Sequence, residues 1–210
     1  MSQAVKEVIR TGRKFDQVLQ GAREVFMADG FSGASVDDIA KAAGVSKATL
    51  YSYFPDKRLL FTEVARNECQ RQADEALELT DLEATPREAL MQAAVQITTI
   101  ITSEFSQRVF RICVAEADRF PELGQEFYES GPMLGRARIT EYLNCAIERG
   151  EFEIEDMELA ADQFSELCKT DLFAKMVFGI QTKFSEAEIE RIAAGAVDMF
   201  LARYGTEKSR

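Results

Sequence analysis

The chain has no histidine and no tryptophan among its 210 residues. Without imidazole there is no ordinary general base, no Ser-His or Cys-His nucleophile pair and no histidine metal ligand. Carboxylate pairs such as Glu116/Asp118 and Glu153/Glu155 stand two residues apart. Helical neighbours at that spacing do not share a face, so these pairs read as solvated surface charge rather than acid–base dyads. Cysteine is sparse. Cys69, Cys113, Cys145 and Cys168 lie far apart, with neither CxxC nor zinc-ligand spacing, which suits small buried apolar side chains. No apolar run approaches the ~20 residues that a membrane span needs. Met1–Glu7 lacks the basic-then-apolar order of a leader, so the expected location is the cytoplasm. Neither a metal nor a cofactor is called for.

What is present is enough for a core: 46% of residues are hydrophobic and 29% charged. Net charge is −11, which argues against a generally basic nucleic-acid coat protein. The distribution is uneven. Residues 1–62 carry nine Lys/Arg against seven Asp/Glu, and the remainder carries sixteen against twenty-nine. A near-neutral head on an acidic body suits a protein that presents only its head to phosphate.

Almost everything reads as helix. Phe15, Val18, Leu19, Ala22, Val25 and Phe26 recur at the helical period, and Gly30 can end that helix in a left-handed conformation. Ser35 followed by Asp38 is a capping pattern for a second helix through Ala43. Gly44 makes a turn, Ser46 caps a third helix ending at Phe54, and Pro55 stops it. A long fourth helix runs from Lys57 to about Leu79. Thr80–Thr85 reads as a linker, and Thr85-Pro86-Arg87-Glu88 opens the next helix. Further helices are expected over 86–103, 105–119, 121–129, 132–149, 156–178 and 186–204. The expected fold class is therefore all-α.

Residues 35–54 meet the physical demands of a helix-turn-helix. Two short helices that cross steeply need small residues where they meet, and Ala40, Ala43 and Gly44 supply them. Ile39, Val45 and Leu50 can pin the pair together. The second helix offers Lys47, Thr49, Tyr51, Ser52 and Tyr53 to the groove it would enter. A plain pair of capped core helices would show the same periodicity. An enzyme and a partner-binding helical adaptor using the acidic body also remain open on these features alone.

The stretch from Arg13 to Phe61 resembles the TetR family of regulators. The resemblance is carried by Phe26-Met-Ala-Asp-Gly-Phe, by Ser35-Val-Asp-Asp-Ile-Ala and by the run from Gly44 to Phe61, with Leu-Tyr-Ser-Tyr-Phe at 50–54. Arg111–Leu123, Phe127-Tyr-Glu-Ser-Gly-Pro, Arg149-Gly-Glu-Phe and Leu159-Ala-Ala-Asp-Gln-Phe resemble the AefR-like subgroup. The resemblance implies a three-helix DNA-binding domain over 12–72 and a helical effector-binding and dimerisation domain over 80–210. It places Ser35, Ser46, Lys47, Ala48, Thr49, Tyr51, Ser52, Tyr53 and Lys57 at double-stranded operator DNA. Lys47 and Thr49 would reach base edges, although Lys47 can equally hold a phosphate, while the tyrosine hydroxyls and Lys57 would hold phosphate. A basic arm, Lys6, Arg10, Arg13 and Lys14, could add contacts or remain solvated.

For the second half, the resemblance implies a homodimer built on the last two long helices. Ile189, Ile192, Ala193, Ala196, Val197, Phe200 and Tyr204 form a broad apolar face that fits this, although burial within one chain explains the same stripe. The resemblance also implies a small hydrophobic effector. Apolar residues for its pocket are Phe105, Val109, Phe110, Cys113, Phe127, Met133, Tyr142, Cys145, Phe164, Cys168 and Met176, each of which can equally be core. The implied action is repression relieved by that effector, in a regulator that does not associate with membranes.

Overall fold

The computed structural model describes residues 12–78 and 84–209, with side chains for all of these except 72–78. Lys6, Arg10 and most of the expected linker lie outside the described residues. Eleven helices are present among the described residues: α1 (Arg13–Gly33), α2 (Val36–Ala42), α3 (Lys47–Tyr53), α4 (Lys57–Glu78), α5 (Pro86–Thr102), α6 (Glu104–Ala115), α7 (Pro121–Ser130), α8 (Pro132–Glu148), α9 (Met157–Leu167), α10 (Leu172–Val177) and α11 (Glu186–Tyr204). No strand occurs among them; the one β-type pairing is an isolated bridge between Phe152 and Gly205.

The chain forms two compact units. The first holds residues up to Glu68 together with Ile112–Phe127, and the second holds Cys69–Arg111 and Tyr128–Arg210. Residues 112–127, the end of α6 and most of α7, thus belong with the N-terminal helices although they lie far along the chain.

In the first unit, α1 buries Phe15, Val18, Leu19, Ala22, Val25 and Phe26 on one face. Gly30 interrupts it at φ 73°, ψ 179°, a conformation open to glycine and closed to bulkier residues. The chain then makes one more turn that places Phe31 back in the core. Phe31 meets Phe26, Phe61 and Phe120 at ring-centroid distances of 6.1, 5.5 and 5.8 Å. The Phe26 pair is stacked and the other two are edge-to-face, and aromatic pairs of these kinds contribute about 0.5–1.5 kcal/mol beyond their buried area. At Gly21, a β-carbon would lie 2.5 Å from the Ala43 nitrogen. Only glycine therefore lets α1 approach the end of α2 so closely.

In the second unit, α5, α8, α9 and α11 enclose a core of Leu90, Ala94, Ile139, Leu143, Ala146, Ala161, Phe164, Val197 and Phe200, among others. Thr98 sits in this interior with its hydroxyl 2.7 and 3.1 Å from the Ala94 and Cys168 carbonyls. Sharing the hydroxyl between them removes the desolvation penalty of a buried polar group.

Two expected helices differ from those found. The single helix over 156–178 is broken at Cys168–Asp171, where Asp171 takes φ 65° and starts α10. With ψ −46° it is the centre of a γ-turn, closed by the Leu172 N–H on the Thr170 carbonyl at 2.8 Å, and its carboxylate accepts from Lys175 at 2.6 Å. The helix over 105–119 stops at Ala115, with turns from Glu116 to Arg119.

Candidate nucleic-acid interface

The site is built by two capped helices. Ser35 accepts the Asp38 N–H at 3.1 Å and donates to the Asp38 carboxylate, fixing the start of α2. Ser46 accepts the Thr49 N–H at 3.1 Å, and its hydroxyl lies 2.9 Å from the Thr49 hydroxyl. Each cap satisfies a backbone donor that the first turn of a helix leaves open. Gly44, at φ 64°, turns the chain between the helices. Ile39 and Leu50 are buried beneath them, and Val45 is half-buried, as the helix-turn-helix reading expects. The hydroxyls of Ser35 and Ser46 thus already hold structure, although both residues are placed at the proposed DNA face.

The outward side of α3 carries Lys47, Ala48, Tyr51 and Ser52, all exposed; Tyr51 is 47% exposed despite its size. Thr49 and Tyr53 are half-buried. The Tyr53 ring stands edge-on to Phe15 at 5.9 Å, which fixes the direction of its hydroxyl. The Ser52 hydroxyl donates to the Thr49 carbonyl at 2.6 Å. Lys47 does not hang free. Its ammonium lies 2.8 and 2.9 Å from the two oxygens of Asp37 on α2, and this pairing raises its pKa. Asp37 was invisible in the sequence as a site residue, because only the crossing of α2 and α3 brings positions ten apart together.

Lys57 departs from the expectation. Its ammonium turns inward and donates to the Phe31 and Ala34 carbonyls at 2.7 and 2.9 Å, 4.7 Å from the centre of the Phe31 ring. Partial burial lowers its pKa, against the opposing pull of Glu116 and Asp56. Two of its three donors tie the start of α4 to the α1–α2 connection. The expected phosphate contact by its ammonium therefore competes with a structural role.

Residues 112–127 clamp the same unit. Glu116 accepts from the Ser32 hydroxyl, Glu122 from Arg58 at 2.7 Å, and Glu126 from Arg66. Arg58 also pairs with Asp56, whose pKa is held down mainly by that bond, and lies 5.3 Å from the Phe120 ring.

The expected effector residues differ in exposure and in the unit they belong to. Phe164 and Cys168 are core, Tyr142 packs against that core, and Phe105, Val109 and Met176 are buried. Phe110 is half-buried with its ring 5.2 Å from Phe173. Met133 and Cys145 face solvent, whereas Cys113 and Phe127 belong to the first unit. An open groove of about 540 Å³ in the second unit is lined by Arg87, Glu88, Met91, Gln92, Val95, Gln96 and Glu190. The i, i+4 pair Met91/Val95 was its sequence signal. The apolar stripe on α11 also needs correction. Ile192, Ala193, Ala196, Val197, Phe200 and Tyr204 are buried within one chain, and Ile189 is half-buried, so the stripe is spent on the chain's own core.

A capped helix-turn-helix in an aromatic-cored head, followed by a second helical unit, defines a two-domain DNA-binding regulator. Residues 18–64 match the bacterial regulatory proteins of the tetR family, and residues 88–206 match the C-terminal domain of AefR-like transcriptional repressors. The chain belongs to the TetR family of transcription regulators. A crystal structure of a TetR-family regulator from Mesorhizobium loti superposes with a TM-score of 0.85 at 30% identity, covering 92% of this chain and 98% of that one. The flavonoid-responsive regulator FrrA superposes with a TM-score of 0.78 at 36% identity, covering 94% of this chain and 100% of that one. The HTH-type regulator YvdT of Bacillus subtilis is 40% identical over 58 residues, which is 28% of this chain and 30% of that protein. The chain thus matches less than a third of the length of that relative. No described helix is long and apolar enough to cross a membrane.

Proposed function

We propose that this protein is a cytoplasmic homodimeric repressor that binds a pseudo-palindromic operator through α3 and leaves it when a small hydrophobic effector binds the second unit. The observation that carries the reading is the exposed Lys47-Ala48-x-x-Tyr51-Ser52 edge of α3, mounted on a doubly capped motif. Such an edge fits a major groove, where lysine and hydroxyl groups reach bases or phosphate. Two copies would set their recognition helices roughly 34–36 Å apart, one turn of DNA. Helix α6 gives a physical route for the signal, since it begins among second-unit residues and ends, from Ile112, among those of the head. The likeness to FrrA over nearly the whole chain makes flavonoids the first effectors to try.

The dimer face is the side of α11 turned away from the core, where Arg191, Gly195, Asp198, Met199 and Ala202 are exposed. Gly195 and Ala202 allow close helix approach. Arg191 and Asp198 lie symmetrically about the Ala194–Gly195 bond, so a two-fold crossing there sets opposite charges face to face.

The test is fluorescence anisotropy of the purified protein on its own upstream intergenic DNA against an unrelated duplex, across a salt series. Specific binding is expected, with log K falling by ~0.9 per phosphate neutralised. Absence of binding at low salt by a folded dimer would overturn the reading.

A further inference from the structure

The head carries an acidic side chain at the edge of its proposed DNA face. Asp37, in the first turn of α2, is 73% exposed, and its two carboxylate oxygens lie 2.8 and 2.9 Å from the ammonium of Lys47, the first residue of α3. Lys47 is itself 51% exposed. A carboxylate beside phosphates is repelled whatever the sequence, so this one opposes binding unless a group on the DNA answers it. The start of α2 does not need Asp37 as a cap, because Ser35 and Asp38 already close that turn.

The geometry of the pair indicates which group answers. Two of the three lysine hydrogens account for the contacts with Asp37, which leaves one for a further acceptor, and the carboxylate keeps room for a further donor. The pair therefore presents a donor and an acceptor 2.8–2.9 Å apart. It does so at the N-terminal end of α3, the part of a recognition helix that reaches base edges. In the major groove of a G·C pair, guanine O6 accepts and cytosine N4 donates, and these two atoms are bonded to one another at roughly 2.9 Å. The spacings match. An A·T pair offers adenine N6 and thymine O4 at the same separation, but N6 is flanked by the N7 acceptor, which repels a carboxylate. Guanine N7, beside O6, instead adds a second acceptor for the ammonium.

We propose that Lys47 and Asp37 act together as the reader of a G·C pair in each half-site, Lys47 donating to the O6/N7 edge of guanine and Asp37 accepting from cytosine N4. This inference rests on the operator-binding reading above and adds Asp37 as a residue that sets sequence preference. A lysine moved from Asp37 to a phosphate carries no base preference, so the ion pair is what turns its charge into sequence information.

The experiment is selection of bound duplexes from a randomised pool by the full-length protein, followed by anisotropy with each half-site position changed in turn. One G·C position per half-site is expected whose change to A·T weakens binding about tenfold or more. Asp37→Ala and Lys47→Met should each cut the discrimination at that same position to about threefold or less, beyond any uniform change in affinity, and leave preferences at the other positions as they were. The double variant should lose no more discrimination there than either single one, because the two groups read together. Unfolding weakens every duplex alike, so a loss confined to one position is not a folding defect. Relaxation of different positions by the two variants, or a preference for G·C that survives Asp37→Ala, overturns the paired reader and leaves the regulator reading intact. A selected half-site with no such G·C position does the same. Enrichment of no sequence by the folded wild-type dimer overturns both.

Discussion

Two lysines ten residues apart on the head have opposite fates, and each makes a prediction at the scale of single residues. Lys47 stays at the surface with Asp37 as its partner. If α3 meets DNA as proposed, Lys47 must leave that carboxylate or bring it near phosphate, and Asp37 then opposes binding to any sequence. Asp37→Asn should tighten binding to an unrelated duplex more than to the operator and steepen the salt dependence by ~0.9 in slope, about one more phosphate neutralised. Anisotropy across a salt series reads this directly, and an unchanged slope would show that Asp37 plays no part. Lys57 is the reverse case, with its ammonium spent on the Phe31 and Ala34 carbonyls. Lys57→Met should lower the urea stability of the head by about 1–3 kcal/mol, because two part-buried acceptors lose their donor. A lysine serving phosphate alone would leave that midpoint in place. The sequence could name both lysines but not their directions, since the side chain's reach is decided by which helix end lies beside it.

The scale of the element is where local chemistry speaks most clearly. Thr85/Glu88 and Ser185/Glu188 each form a reciprocal box, with the glutamate accepting the N–H of the cap residue at 2.9 and 2.8 Å. Glu188 is held well below the usual carboxylate range, at about 2, first by the Ser185 backbone N–H and then by Gln181 and the Ser185 hydroxyl. A carboxylate depressed in the folded state contributes stability above its unfolded pKa, and that contribution is lost as pH falls toward the folded value. Urea midpoints of wild type and Glu188→Gln should therefore differ most at neutral pH and converge as pH drops from about 4.5 towards 2. A constant difference across that window would refute the assignment. Starts of this kind were legible because a cap is written within four residues. The break at Asp171 was not, because Lys169-Thr170-Asp171 contains neither proline nor glycine, and the turn is held by contacts made after folding. Gly21 was illegible for a similar reason. Its neighbour Ala43 is twenty-two positions away, and Gly21→Ala should drive α1 and α2 apart and cost the head stability in the same urea assay.

At the scale of the whole molecule, periodicity shows that α11 has an apolar face but not whose surface covers that face. The Ile192–Phe200 stripe suited a partner equally well until α5 and α9 were seen to occupy it. Among the residues that α11 leaves exposed, the middle of the helix carries Met199 at 61%, the small residues Gly195 and Ala202, and the opposite charges of Arg191 and Asp198. That pattern is self-complementary, as a two-fold contact requires, and it separates two kinds of damage. Ile192→Asp should unfold the second unit, because it buries a charge among apolar neighbours. Gly195→Arg should keep the helical circular dichroism signal and yield a monomer by sedimentation equilibrium. Operator affinity should then fall by orders of magnitude, since a monomer reads one half-site and loses the gain of binding two linked sites. Reversing the charges one at a time, Arg191→Asp or Asp198→Arg, should weaken the dimer, and combining them should restore it. Asp198 also holds Arg87 of its own chain at 2.7 Å, so only recovery in the double variant isolates the contact between copies. A dimer that survives Gly195→Arg, with no recovery in the double variant, would move the interface off α11.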